Sequence, residues 1–156
     1  MLLVGLALGV GAGVLRGFPS VAEAGGEIEG ACLPPLADAP VVSWIAPADA
    51  MELVGQPDAV FVDARPEEVF IRGHVAGALH VPMEHGTVAD DVVGLLRSAR
   101  TIVAYDDTAE ECARSTRLAG VLVAAGLSGV RVLEGGMPAW LEAGYPAEAG
   151  TCRLCP

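Results

Sequence analysis

FVDARPEEVFIRGHVAGALHVP, residues 61–82, decides how this chain is read. With Ala59 and Val60 it opens on AVFVDA (59–64), a continuous apolar run of the kind found in strands buried on both faces. Pro66 then starts a short helix, with Glu67 and Glu68 in its first turn, where the positive end of the helix favours carboxylates. Gly73 and Gly77 suit tight turns. ALHVP (78–82) follows as a short strand that proline stops. Strand, helix and strand in such quick succession predict a parallel-sheet α/β domain.

The same alternation continues outward on both sides. VVSWI (41–45) reads as a strand, and Pro47 opens a helix through about Val54. Residues 87–98 place Val88, Val92, Leu95 and Leu96 at helical spacing. TIVAY (101–105) is the clearest strand. Residues 113–125 carry Leu118, Val121 and Leu122 in a helix ended by Gly126. VRVL (130–133) is the last strand, and Met137 to Ala143 the last helix. Gly135 and Gly136 fit turns where a Cβ would clash, and Trp140 reads as core. There is no internal repeat.

The 156 residues suffice for one domain, and 53% are apolar. Aromatics are few, so Val, Ala and Leu must fill the core. The chain has no lysine, and twenty acidic residues leave a formal net charge of -11. Such a surface repels phosphates and sets nucleic-acid binding aside. The first fifteen residues, MLLVGLALGVGAGVL, lack any charged or polar side chain. Segment 1–18 is short for a bilayer span, which needs about 20 apolar residues, and it lacks a basic leading region. An uncleaved anchor, a signal peptide cleaved near Ala22 to Ala24, and a mis-assigned start inside a longer span all fit it. Each predicts a membrane-associated or exported protein, with the periplasmic side as the working guess. Residues 19–40 read as a linker rich in Gly, Pro, Ala and Glu, residues 41–148 as the folded domain, and 149–156 as a tail.

Cys152 and Cys155 form a CxxC in that tail, TCRLCP, while Cys32 lies in the linker. A lone CxxC is a reducible disulfide, half of a metal site, or neither. No second CxxC accompanies it, so no metal is called for. In an exported domain Cys32, Cys152 and Cys155 could pair in more than one way.

Chemistry is expected in the loop after TIVAY, because open α/β sheets bind ligands beyond the carboxyl ends of their strands. That loop reads DDTAEECARS (106–115) and holds one thiol, Cys112. A cysteine at a helix start beside an arginine gains thiolate character. Asp106, Asp107, Glu110 and Glu111 act against a further negative charge there.

The stretch 61–82, with its Asp63-x-Arg65 and Gly73-His74-x-x-Gly77-Ala78, resembles the first signature of the rhodanese family. VLEGGMPAWLEAGYPAE (132–148) is similar to its closing signature, Leu-x-Gly-Gly-x-x-x-Trp-x-x-x-Gly-Tyr-Pro, and WIAPADAMELV (44–54) looks like its opening. The resemblance covers about residues 41–148. It implies a three-layer α/β fold, a central parallel sheet with helices on both faces, and no cofactor. It implies structural roles for His74, Gly77, Gly135, Gly136 and Trp140, and an orienting pair in Asp63 and Arg65.

Active rhodaneses carry the sulfur-accepting cysteine directly after the strand, in a loop of the form Cys-x-x-Gly-x-Arg-Ser. Here Asp106 stands at that point, and the loop is about three residues longer before Arg114 and Ser115, which match the family's Arg-Ser. A carboxylate cannot become a persulfide, which needs a sulfur nucleophile. Two readings follow. The first is a binding or regulatory module, membrane-tethered or exported, that serves a protein partner, its acid-lined site unsuited to an anion such as thiosulfate. The second is a thiosulfate or persulfide sulfurtransferase that uses Cys112 as a displaced carrier, with Arg114, Ser115 and Arg65 holding a small sulfur donor. A phosphatase-like reading fails, since Arg114 follows Cys112 by two residues where a phosphate cradle needs six.

Overall fold

The computed structural model describes residues 42–82, 86–108, 114–152 and 155. The apolar segment 1–18, the linker 19–40, Cys32 and the candidate thiol Cys112 lie outside the described residues. Among the described residues no helix is long and apolar enough to cross a membrane.

Five parallel strands form the central sheet: β1 (Ser43–Ile45), β2 (Ala59–Asp63), β4 (Leu79–His80), β5 (Thr101–Tyr105) and β6 (Val130–Leu133). Their order is β1-β6-β5-β2-β4. A second, antiparallel pair joins β3 (His74–Val75) to β7 (Ala147–Glu148). This small sheet has no counterpart in the sequence reading, because two-residue strands carry no periodicity.

The alternation of side chains along each strand sorts the core onto two faces. Val62, Ile102, Ala104, Val130 and Val132 point to one face. There they meet Val93 and Leu96 of α3 (Asp90–Leu96) and Leu118, Ala119 and Leu122 of α4 (Arg114–Ala124). Ile45, Phe61, Val103, Tyr105 and Leu133 point to the other. Against them pack Ala50 of α1 (Pro47–Met51), Phe70 of α2 (Glu67–Arg72), and Met137 and Trp140 of α5 (Gly136–Glu142). Both faces are covered, which is why the central strands read as unbroken apolar runs.

Several elements are shorter than their sequence patterns. Helix α1 ends at Met51, where the expected helix runs to Val54, and turns carry the chain onward. Strand β4 keeps only Leu79 and His80 of ALHVP. Helix α3 begins at Asp90, and it buries Val93 and Leu96 while Leu95 is 46% exposed. The expected inward set named Leu95 and omitted Val93, while Leu96 is buried and Val88 and Val92 pack on the core as expected, a rotation of the apolar stripe by about a quarter turn.

The two adjacent glycines earn their places differently from Gly73. Gly135 and Gly136 both have left-handed φ, 69° and 57°, and a Cβ on Gly136 would stand 2.3 Å from the Asp106 carbonyl oxygen. Gly73 has φ 170°, open to any residue, with nothing near an added Cβ, so it needs no glycine for a turn or a clash. Gly77 does need one for its φ of 76°, although the space beside it is open.

Candidate functional site

The sheet order reverses between β2 and β5: the chain goes outward from β2 to β4, then returns to the other side of β2. A crevice forms at the carboxyl ends of strands at such a switch point. A cavity of about 250 Å³ opens there. Ala64, Arg65 and Pro66 after β2 line it, with Pro82 and Gly86 after β4 and Arg114 and Arg117 from α4. Its size suits a small group, since sites for drug-sized ligands begin at about 300 Å³.

Arg65 is the most constrained of these side chains. Its Nε donates to both oxygens of Asp63, at 2.9 and 3.1 Å, and its Nη2 donates to Asp63 Oδ2 at 2.7 Å. Nη2 also donates to the Gly73 carbonyl, and Nη1 to Asp107 Oδ1 at 3.0 Å. Burial works against the cation, but the hydrogen bonds and charges of Asp63, then Asp107, outweigh it and hold the guanidinium above its ordinary pKa. Asp63 is wholly buried and Arg65 nearly so. The guanidinium lies 5.5 Å above the Tyr105 ring, and the Tyr105 hydroxyl accepts the Val75 N–H at 3.0 Å. His80 Nε2 donates to the Arg65 carbonyl at 2.9 Å, which fixes where that ring holds its proton.

Asp106 follows β5 directly and is 2% exposed. Its Oδ1 accepts the Thr108 N–H at 3.0 Å, and its Oδ2 accepts the Ser115 N–H at 3.1 Å. Two of the backbone donors that a strand-to-helix loop can offer to an anion are thus taken by a carboxylate of the same loop. On the other side the Asp106 carbonyl accepts the Met137 N–H at 2.7 Å, directly over Gly136. The Gly135-Gly136 turn and the β5 loop therefore fix one another.

For Asp106 and Asp107, the two described carboxylates of the loop, the expectation of an acidic lining does not hold. Asp106 turns inward onto two N–H groups and Asp107 turns onto Arg65, leaving the cavity lined by three arginines and no described carboxylate. Glu110, Glu111 and Cys112 lie outside the described residues. Ser115 is 1% exposed and is not among the lining residues, because its N–H serves Asp106 at the start of α4.

The remaining motif residues stand away from the cavity. His74 is buried, stacked on Phe70 at 3.8 Å, with Nδ1 2.8 Å from the Phe70 carbonyl and Nε2 3.5 Å from Glu148 Oε1. Trp140 has no exposed surface, and its Nε1 donates to the Pro146 carbonyl. Among the described residues no cluster of His, Cys, Asp and Glu could hold a metal ion. Arg117 was absent from the candidate set as a binding residue. Its i+3 spacing from Arg114 was the available signal, since residues three apart share a helix face.

The model of the rhodanese-like domain family matches residues 46–143. The chain belongs to the rhodanese-like family. Thiosulfate sulfurtransferase GlpE of Pseudomonas putida strain GB-1 is 38% identical to this rhodanese-like domain over 105 residues, 67% of this chain and 88% of that protein. A putative thiosulfate sulfurtransferase, SseB of Mycobacterium tuberculosis, is 38% identical over 97 residues, 60% of this chain and 32% of that protein. Among solved structures, a rhodanese-like domain from Anabaena superposes with a TM-score of 0.59 at 25% identity, over 73% of this chain and 83% of that one. A thiosulfate sulfurtransferase from Pseudomonas aeruginosa gives a TM-score of 0.57 at 26% identity, over 81% of this chain and 23% of that one.

Proposed function

We propose that this rhodanese-like domain is a binding module that receives a small anionic group in its arginine cavity and transfers no sulfur at residue 106. The observation that carries this reading is the Asp106 carboxylate on the Thr108 and Ser115 N–H groups. It stands where the family places a nucleophile, it offers no sulfur, and it occupies two N–H groups at the ends of the loop that could otherwise face an anion. Arg65 is already committed to Asp63, Asp107 and Gly73, so it shapes the wall. Arg114 and Arg117 are exposed and carry the attraction, as guanidinium groups do for oxyanions. The apolar segment 1–18 serves in this proposal to tether or export the domain.

The test uses the full chain in detergent, titrated calorimetrically with thiosulfate and then analysed by intact mass. Thiosulfate is expected to bind, the mass to stay unchanged, and Arg114→Ala with Arg117→Ala to abolish binding while the melting temperature holds. A gain of one sulfur that disappears in Cys112→Ser overturns the proposal in favour of a displaced nucleophile.

A further inference from the structure

Cys152 and Cys155 of the tail are not among the described lining residues of the arginine cavity and have chemistry of their own. Cys152 and Cys155 are joined by a disulfide, their Cα atoms 5.5 Å apart. Both residues are half-buried. Both pack on the core between the sheet and helices α3 and α4, and Cys152 also touches the core of the opposite face. A disulfide that closes over two residues restricts the unfolded chain far less than one closing a long loop. It is therefore a weak staple for a domain with two packed faces. A sulfur that keeps part of its surface in solvent remains open to attack by a thiolate.

The two sulfurs are not equivalent. Cys155 Sγ sits 3.5 Å from the His80 carbonyl oxygen at the end of β4. The disulfide has no S–H, so in this state the approach is a packing contact. In the dithiol a Cys155 thiol can donate to that oxygen, whereas a thiolate would face its lone pair. His80 thus favours a protonated Cys155. Among the described residues no carbonyl faces Cys152 in this way.

We propose that Cys152 and Cys155 form a redox-active dithiol/disulfide site for small thiols, with Cys152 the exchanging sulfur and Cys155 the resolving one. A thiolate from an external thiol attacks Cys152 Sγ. The bond between Cys152 and Cys155 breaks, and Cys155 leaves as a thiolate that takes a proton from water, its S–H then donating to the His80 carbonyl. A second external thiolate attacks the external sulfur of the mixed disulfide and releases Cys152. The protein disulfide gains two electrons and two protons, and two thiols leave as their disulfide. In reverse, Cys152 attacks an external disulfide and Cys155 resolves the mixed species. Neither cysteine is among the described residues that line the arginine cavity.

The test treats the folded full chain, in detergent and without denaturant, with reduced glutathione and reads the mass of the tail peptide. Reduction of the pair is expected, followed on limiting iodoacetamide by alkylation of Cys152 ahead of Cys155. With oxidised glutathione, Cys155→Ser should trap a mixed disulfide on Cys152 about tenfold faster than Cys152→Ser traps one on Cys155. A pair that stays oxidised until the chain is denatured, or equal labelling of both sulfurs, overturns the proposal. The alkylation order needs no variant, so it stands even where a serine substitution disturbs the tail.

Discussion

The Asp106 carboxylate reaches nine residues forward to accept the Ser115 N–H at 3.1 Å, while its other oxygen accepts the Thr108 N–H at 3.0 Å. One side chain thereby satisfies an N–H of the first turn of α4 and closes the front of the β5 loop. In helices this is the work of a neighbouring cap, and here it is done across a loop. The residue that lacks sulfur chemistry is also the one that ties Thr108 and Ser115, at the two ends of the loop, to the end of β5.

Asp106→Ala should leave two backbone N–H groups without their acceptor, at a cost of about 1–3 kcal/mol. Asp106→Asn keeps one acceptor oxygen and should cost less. A urea midpoint that falls with an unchanged slope is the expected result. Asp106→Cys gives up the same carboxylate but sets a thiol at the start of the loop. It should gain one sulfur by mass after treatment with a sulfane donor, with the label mapping to residue 106.

The Asp63–Arg65 pair is buried and bonded through three side-chain contacts of 2.7–3.1 Å. Arg65→Ala strands a wholly buried carboxylate and should destabilise the domain by about 3–5 kcal/mol. Arg65→Lys keeps a charge but not the fork that spans Asp63, Asp107 and Gly73, so it should recover only part of that loss. Thermal melts of the two variants beside the parent decide the order. Equal melting temperatures for Lys and Arg would mean that charge alone matters at this position.

Much of this was legible in the sequence because the fold writes itself in periodicity. The unbroken apolar runs 59–64 and 101–105 became adjacent central strands β2 and β5, and Pro66, Glu67 and Glu68 stand at the start of α2. The site was less legible. Sequence places Asp106, Asp107 and Arg114 within one loop but says nothing of where side chains turn. Asp106 turns onto two N–H groups and Asp107 onto Arg65, so the described lining of the cavity holds arginines and neither of these two carboxylates. Likewise the CxxC left its pairing open, and the link from Cys155 to His80 spans 75 residues. Contacts of that range leave no local pattern.

Gly136 and Gly77 both have left-handed φ, yet substitution should separate them. Gly77→Ala meets open space and should cost only the conformational penalty, about 1–2 kcal/mol. Gly136→Ala adds a Cβ against the Asp106 carbonyl as well, so the β5 loop must move. The expected loss is larger, and thiosulfate binding should weaken with it. Comparable stability for the two alanine variants would show that the loop gives way at no cost.

Tyr105 supplies a pH signature. Burial first, and the Asp63 carboxylate second, push its phenol well above the ordinary value of 10.0. In the unfolded chain the phenol ionises near pH 10, while in the folded domain it keeps its proton. Above pH 10 the folded state therefore binds more protons, so this contribution is intact below that pH and is lost as pH rises. The slope approaches about 1.4 kcal/mol per pH unit for a single group. Tyr105→Phe removes the acceptor of the Val75 N–H and should be less stable at neutral pH by about 1–3 kcal/mol. It should also lack the alkaline decline, so the stability difference between parent and variant should shrink from pH 9 to pH 12. Denaturant titrations of both proteins across that range measure the difference directly, and other titrating groups cancel in it. A constant difference would mean that the phenol ionises within the fold, with Asp63 and the apolar wall failing to hold its proton.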